Sequence, residues 1–263
     1  MAYLPRYVLY LVFPVLGLAV SALPFLDPPV AMGILFLTLL PSTVQSSIAL
    51  TAMAKGNVAG AVCSASFSNL AGIFVTPLLV SVLMTGKQGG FSIEAATTIA
   101  LQLLLPFITG HLLRTVIGAW IASQKHLMMV VDRASILLVV YTAFSAAVVQ
   151  GLWSRVSLAD LAAILVVSGV LLALVLTLTA LLGRWLGFNS ADRIVLQFCG
   201  SKKSLASGVP MAGVLFAPPQ VGAVILPLMF FHQLQLMVCA ILARRYGAET
   251  DRAQMDGLAM ASV

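Results

Sequence analysis

From Leu158 to Leu182 the chain carries one charged side chain, Asp160, and comparable apolar runs recur along its length. In hydrocarbon every backbone N–H and C=O needs a partner within the protein, so only helices and closed barrels span a bilayer. A barrel strand is roughly ten residues of alternating polarity, and Ile164 to Leu176 does not alternate. The run reads as a helix. Composition extends the argument to the whole molecule. Charged residues make up 8% of the chain and hydrophobic residues 61%, where soluble domains carry roughly 25% charged residues. So few charges cannot cover a globular surface in water.

Eight apolar segments follow, termed A to H: Tyr7 to Phe25, Pro29 to Ala54, Val58 to Met84, Ile93 to Ala119, Ala134 to Trp153, Leu158 to Leu182, Asp192 to Phe216, and Gln220 to Ala243. Helices of about 20 residues with short loops fit a chain of this length. The expected fold class is therefore an all-α membrane protein of about eight transmembrane helices in a single domain, residues 1–263. Segment A has Arg6 ahead of it, but Pro14 interrupts it and no small-residue cleavage site follows. It reads as a span rather than a signal peptide.

Basic residues orient the helices. Arg6, Lys55, Arg114, Lys125, Arg133, Arg184, Arg193, Arg244, Arg245 and Arg252 fall on the side of the N-terminus, against Lys87 and Arg155 on the other. Such a bias places both termini in the cytoplasm. Trp120, Trp153 and Trp185 fall near segment ends, where an aromatic belt would sit. The net charge of +6 is scattered singly at helix ends, a pattern that argues against a nucleic-acid partner. Cys63, Cys199 and Cys239 are far apart in apolar stretches. They read as buried free thiols, with neither a disulfide framework nor a metal site.

Two segments break the rules of a membrane helix. Segment B contains Pro41-Ser42-Thr43-Val44-Gln45-Ser46-Ser47, and segment G contains Gly200-Ser201-Lys202-Lys203-Ser204 followed by Gly208 and Pro210. Each is the second member of a triplet, A–B–C or F–G–H, and the triplets begin on opposite sides of the membrane. Paired interruptions in two inverted halves point to a transporter's midplane site. The plainer alternative is two kinked helices whose Ser and Thr hydroxyls bond back to their own carbonyls. A lysine at the bilayer centre costs about 2.5–3.5 kcal/mol, and Lys202 lies ten residues past Asp192, about 15 Å deep at 1.5 Å per residue. Snorkelling is the competing reading, weakened by that depth. The expected helix breaks are Pro41, Gly200, Gly208 and Pro210. The expected substrate- or ion-binding residues are Gln45, Ser46, Ser47, Ser64, Gly200, Ser201, Lys202, Lys203 and Ser204.

Leu39 to Phe74 and the string FCGSKKSLASGVPMAGVLF (Phe198 to Phe216) resemble the bile acid:sodium symporter superfamily, as does Leu226 to Tyr246 at its end. The closer resemblance is to its SBF-like branch, which includes the seventh member of solute carrier family 10 and bacterial symporters. It implies a panel domain, a core domain in which two discontinuous helices cross, and a solute site between them. It also implies residence in a bacterial inner membrane. On that pattern 1–84 is the first core repeat, 85–157 the remaining panel helices, 158–245 the second core repeat and 246–263 a cytoplasmic tail. The chain begins at what resembles the family's third helix. The retained polar positions of the family's two-sodium site are Ser46, Ser47 and Ser64, whereas its acidic ligand has no counterpart near Gln197 and Phe198. An ammonium can present a fixed monovalent charge where a metal cation would sit. Lys202 or Lys203 is therefore expected either to replace the coupling ion or to bind an anionic solute. No organic cofactor is implied, and the coupling ion, sodium or proton, stays open.

Elsewhere, His232 and Gln235 are three apart in segment H and share a face, as interhelical hydrogen-bonding groups or as a polar relay. Asn69 and Gln102 read as packing polar groups, Asp132–Arg133 and Asp192–Arg193 as solvated pairs, and His111 and Arg114 as snorkelling side chains. The first expectation for function is a secondary, symporter-like carrier of a small organic anion. The alternatives are a truncated regulatory membrane protein and, more weakly, a membrane enzyme using a Ser204–Lys203 pair. No P-loop or other ATP-binding motif supports a primary pump.

Overall fold

A computed structural model describes residues 4–24, 26–84, 93–149 and 157–261, and every regular element among them is helical. The first helix is built of α1 (Leu4–Tyr7), a π-helical turn (Val8–Val12) and α2 (Phe13–Ser21). Then come α3 (Pro28–Leu39), α4 (Gln45–Met53), α5 (Val58–Leu83), α6 (Ile93–Ser123) and α7 (Lys125–Val149). The chain ends with α8 (Leu158–Trp185), α9 (Ser190–Gly200), α10 (Leu205–Leu215) and α11 (Pro218–Ala261).

Local chemistry sets most of the starts. Asp27 precedes the Pro28–Pro29 pair that opens α3, in positions where a missing N–H costs nothing. Ser157 and Asp160 form a capping box on α8, Asn189 caps α9 and Ser204 caps α10. Such caps satisfy N–H groups that a helix leaves without partners.

The two apolar segments B and G each resolve into two helices, α3 with α4 and α9 with α10. Where hydropathy suggests loops the helices run on: α7 begins at Lys125 rather than Ala134, and α11 continues through 246–261. Hydropathy marks the thickness of the apolar layer, whereas a helix stops where its backbone loses partners. The Asp132, Arg133 and Gln102 side chains, along with Lys87, Trp153 and Arg155, lie outside the described residues.

Helix α3 is buried on nearly every side, with Gly33 to Leu39 all enclosed, and packs on α2 and α11. A Cβ on Gly33 would meet the Val224 carbonyl at 2.7 Å, so α3 and α11 approach backbone to backbone. Helix α8 covers α9 and α11, while α6 and α7 flank α5, α10 and α11. The outer faces are apolar: Leu101, Leu105, Leu112 and Val116 of α6 and Val166 and Val170 of α8 are exposed. Exposed apolar area on this scale marks a surface built for a partner or for lipid. Cys63 lies on such a face and is exposed, unlike buried Cys199 and Cys239. The expectation of three buried thiols is corrected at that position, because Cys63 shares the outward face of α5 with Phe67, Leu70 and Phe74.

Candidate functional site

Between α3 and α4, Leu40 is extended (ψ 156°), as a residue before proline must be, and Pro41 brings no N–H. The freed backbone groups of this turn find partners on α5. The Ser42 N–H donates to Ser68 Oγ (3.1 Å), Asn69 Nδ2 donates to the Ser42 carbonyl (2.8 Å) and Thr76 Oγ1 donates to the Leu39 carbonyl (2.8 Å). A Cβ on Gly72 would stand 2.7 Å from Pro41, so glycine lets α5 approach the turn closely enough for those bonds.

Between α9 and α10 the same task falls to α11. Gln235 accepts from the Lys203 N–H through Oε1 (2.8 Å) and donates from Nε2 to the Lys203 carbonyl (2.8 Å). Its Nε2 also lies 2.8 Å from His232 Nδ1. The two turns touch: the Ser204 N–H donates to the Pro41 carbonyl at 2.9 Å, and Ser47 Oγ donates to the Phe198 carbonyl at 3.2 Å. Ser207 Oγ donates to Asn69 Oδ1 (3.0 Å), so Asn69 joins both turns.

Lys203 is fully enclosed. Its ammonium donates to the carbonyls of Leu9 (3.1 Å), Thr38 (2.8 Å) and Leu40 (2.7 Å), which uses all three N–H groups. The Phe13 ring centroid lies 4.2 Å from Nζ, where the ring's negative face attracts a cation. Each acceptor is a carbonyl that its own helix has released. Thr38 and Leu40 lie at the end of α3, where carbonyls lack helical donors and the helix dipole favours positive charge. Leu9 is released by the π turn. The Phe13 N–H reaches back five residues to the Val8 carbonyl, and Pro14, the next donor position, has no N–H.

Lys202 is also buried but less committed. Its Nζ donates to the Ser46 carbonyl at 3.1 Å and stands 5.4 Å from the Phe198 ring centroid. Among the described residues the one ion pair, Lys55–Asp251, lies at the surface. Neither buried lysine pairs with a carboxylate there, and no group of three or more His, Cys, Asp or Glu could hold a metal ion.

The residues singled out by sequence divide accordingly. Ser46, Ser47, Lys202, Lys203 and Ser204 meet at the crossing, and Pro41 and Gly200 adjoin its two turns. Ser42, Thr43, Ser46 and Ser47 share a hydroxyl cluster, with Ser46 Oγ donating to Thr43 Oγ1 at 2.7 Å. Ser64 is buried on α5, near the Cys199 thiol. Ser201 donates back to the Gln197 carbonyl (2.6 Å), and Gln45 is exposed. Gly208 and Pro210 are not breaks: both lie inside α10. Helix α10 tolerates the donor missing at Pro210, and Gly208 is there for space, since a Cβ would meet Leu40 and Leu228 at 2.5 and 2.6 Å. Asp192 bonds Asn57 and Asn189 rather than Arg193.

Sequence reasoning missed Leu9 and Phe13 altogether and took Asn69 for a packing group. For Leu9 and Phe13 the available signal was Pro14, four to five residues downstream of the carbonyls it deprives. For Asn69 it was an amide within one helical stretch of the segment-B turn.

Three helical stretches among the described residues are long and apolar enough to cross a membrane, Val58–Leu83, Leu158–Trp185 and Gln220–Arg252. With the apolar outer faces and a buried polar centre, they define a helical integral membrane protein. The chain belongs to the SBF-like CPA transporter family, whose sequence profile matches residues 4–248. It is 56% identical over 248 residues to the uncharacterized protein PA2026 of Pseudomonas aeruginosa, covering 93% of this chain and 74% of that one. It is 53% identical over 247 residues to "Putative symporter YfeH" of Escherichia coli, with the same 93% and 74% coverage. The sodium/bile acid cotransporter 7 of Rattus norvegicus is 27% identical over 208 residues, covering 77% of this chain and 60% of the relative. These relatives are named as transporters rather than enzymes, apart from the first.

Proposed function

We propose that the protein is a secondary carrier of a small organic anion in a bacterial inner membrane, with Lys203 standing in place of a coupling cation. The helices α1 to α5 and α8 to α11 act as inverted repeats, and α3–α4 and α9–α10 are discontinuous helices crossing near the bilayer centre. Alternating access moves this crossing relative to α6 and α7, and both termini face the cytoplasm. The observation that carries the reading is the cage of three released carbonyls around the Lys203 ammonium. Carbonyl oxygens on unwound segments and half-helix ends are how transporters hold monovalent cations. Here the cationic group is tethered to the chain and cannot leave the site as a free metal ion would.

Lys202, with one carbonyl acceptor, keeps donors for an anion. The name of the rat relative supports an amphipathic organic anion as the solute class. The test is uptake into proteoliposomes of a panel of carboxylated and sulfated solutes, with sodium or choline as the external cation. Equal uptake in both is expected, together with loss of uptake in Lys202→Gln. Strict sodium dependence would overturn the role given to Lys203, and absence of uptake for the whole panel would overturn the anion-carrier reading.

A further inference from the structure

We infer that a second site, separate from the lysine crossing, binds a phosphate-bearing group at the membrane face where α8 ends and α9 begins. A half-open cavity of 370 Å³ lies there, bounded by the end of α8, the start of α9 and the stretch of α11 around Tyr246 to Thr250. At about 30 Å³ per water, it has room for about a dozen, enough for a phosphate and the atoms esterified to it.

Two arginines, Arg184 and Arg193, line the cavity with Ser190, Gln197 and Glu249. Among the described residues neither arginine forms an ion pair. Asp192, the nearest carboxylate in sequence, is held by the Asn57 and Asn189 amides at 2.9 and 2.8 Å. At the inner wall Tyr246 Oη donates to Gln197 Oε1 at 3.0 Å. That bond turns the Gln197 amide so that its Nε2 is free to donate, in a residue that is 7% exposed. Two arginines against the one carboxylate of Glu249 leave the cavity with net positive charge. Guanidinium matches phosphate oxygens in bidentate geometry.

The setting suits a phosphate that arrives either free or on a lipid. Leu181 and Trp185 of α8, exposed at 56% and 84%, carry an apolar outer wall up to Arg184, and tryptophan prefers the headgroup layer. Basic pockets between helices on the cytoplasmic side hold anionic headgroups in other membrane proteins.

The experiment follows thermal unfolding of the full chain in a phosphate-free maltoside detergent alone, with added phosphatidylglycerol, or with inorganic phosphate at fixed ionic strength. A ligand that binds the folded state raises the unfolding temperature with its concentration. A rise with phosphatidylglycerol but not with phosphate assigns the site to a lipid headgroup, and the reverse assigns it to a soluble phosphate. In either case the rise is lost in the Arg184→Gln/Arg193→Gln double variant. Glu249→Gln, which removes the one carboxylate from the lining, reaches half-saturation at several-fold lower ligand. No rise from either ligand, or an undiminished rise in the double variant, overturns the inference. Should the double variant fail to fold, an unchanged half-saturation point in Glu249→Gln overturns it as well.

Discussion

At the scale of single residues, the two adjacent lysines are not equivalent. Lys203 satisfies three buried carbonyls and Lys202 one. A buried group left without its partner costs about 1–3 kcal/mol. Lys203→Met is therefore expected to destabilise the protein by about three times as much as Lys202→Met, several kcal/mol against about one. Unfolding in detergent by denaturant or heat reads this directly, and equal losses would show that the cage is not what holds Lys203. Gln235 admits a finer comparison, because its amide accepts from the N–H and donates to the carbonyl of Lys203. Gln235→Glu, ionised, keeps an acceptor and loses the donor, while Gln235→Leu loses both. The expected order of stability is Gln, then Glu, then Leu, with about 2 kcal/mol between the ends. A leucine variant as stable as the parent would mean that water or a shifted side chain takes over both bonds.

At the scale of helices, the π turn in the first helix has a cause and a consequence that can be separated. Pro14 lacks the N–H that would bond the Leu9 carbonyl in π geometry, and Phe13 spends its own on Val8. Leu9 is thereby released to Lys203. Replacing an interior helix proline by alanine ordinarily gains up to about 3 kcal/mol. In Pro14→Ala the new N–H competes with Lys203 for the released carbonyl, so the gain is expected to be small or negative. A rise of many degrees in unfolding temperature would show that the turn serves no purpose at the crossing. The same helix shows what a sequence can and cannot disclose. The segment-B and segment-G interruptions were legible because proline, glycine and hydroxyl residues stand out in apolar runs. The π turn was marked by Pro14 alone, which any kinked helix could carry, and the carbonyl it releases carries no letter of its own. Gly208 and Pro210 were over-read for the complementary reason. Composition marks where a helix is able to break, but α10 is held together by its Ser204 cap and by Leu40 and Leu228 packed on Gly208.

At the scale of the whole molecule, the bonds between distant segments fix which helix ends share a face. The Asn57 N–H donates to the Ala191 carbonyl at 3.2 Å and its amide to Asp192 at 2.9 Å, so the exit of α4 meets the start of α9. Lys55 pairs with Asp251 of α11 at that same end. The chain thus leaves this face through α9 and arrives at it through α4, running in opposite senses. Asp27, at the start of α3, stands at the far end of the α3–α4 pair. If that pair crosses the bilayer, Asp27 and Lys55 lie on opposite sides. On the proposed orientation, the excess of Lys and Arg near the α4–α9 junction marks that face as the cytoplasmic one. The measurement is labelling of single cysteines by a membrane-impermeant maleimide in intact cells, in a Cys63→Ser background because Cys63 is exposed. Asp27→Cys is expected to react in intact cells, and Lys55→Cys and Asp251→Cys only after permeabilisation. The reverse pattern would invert the orientation and leave the crossing intact. Reaction of all three from one side would mean that α3 and α4 do not traverse the bilayer, and the caged ammonium would then lie too near an interface to replace a coupling ion.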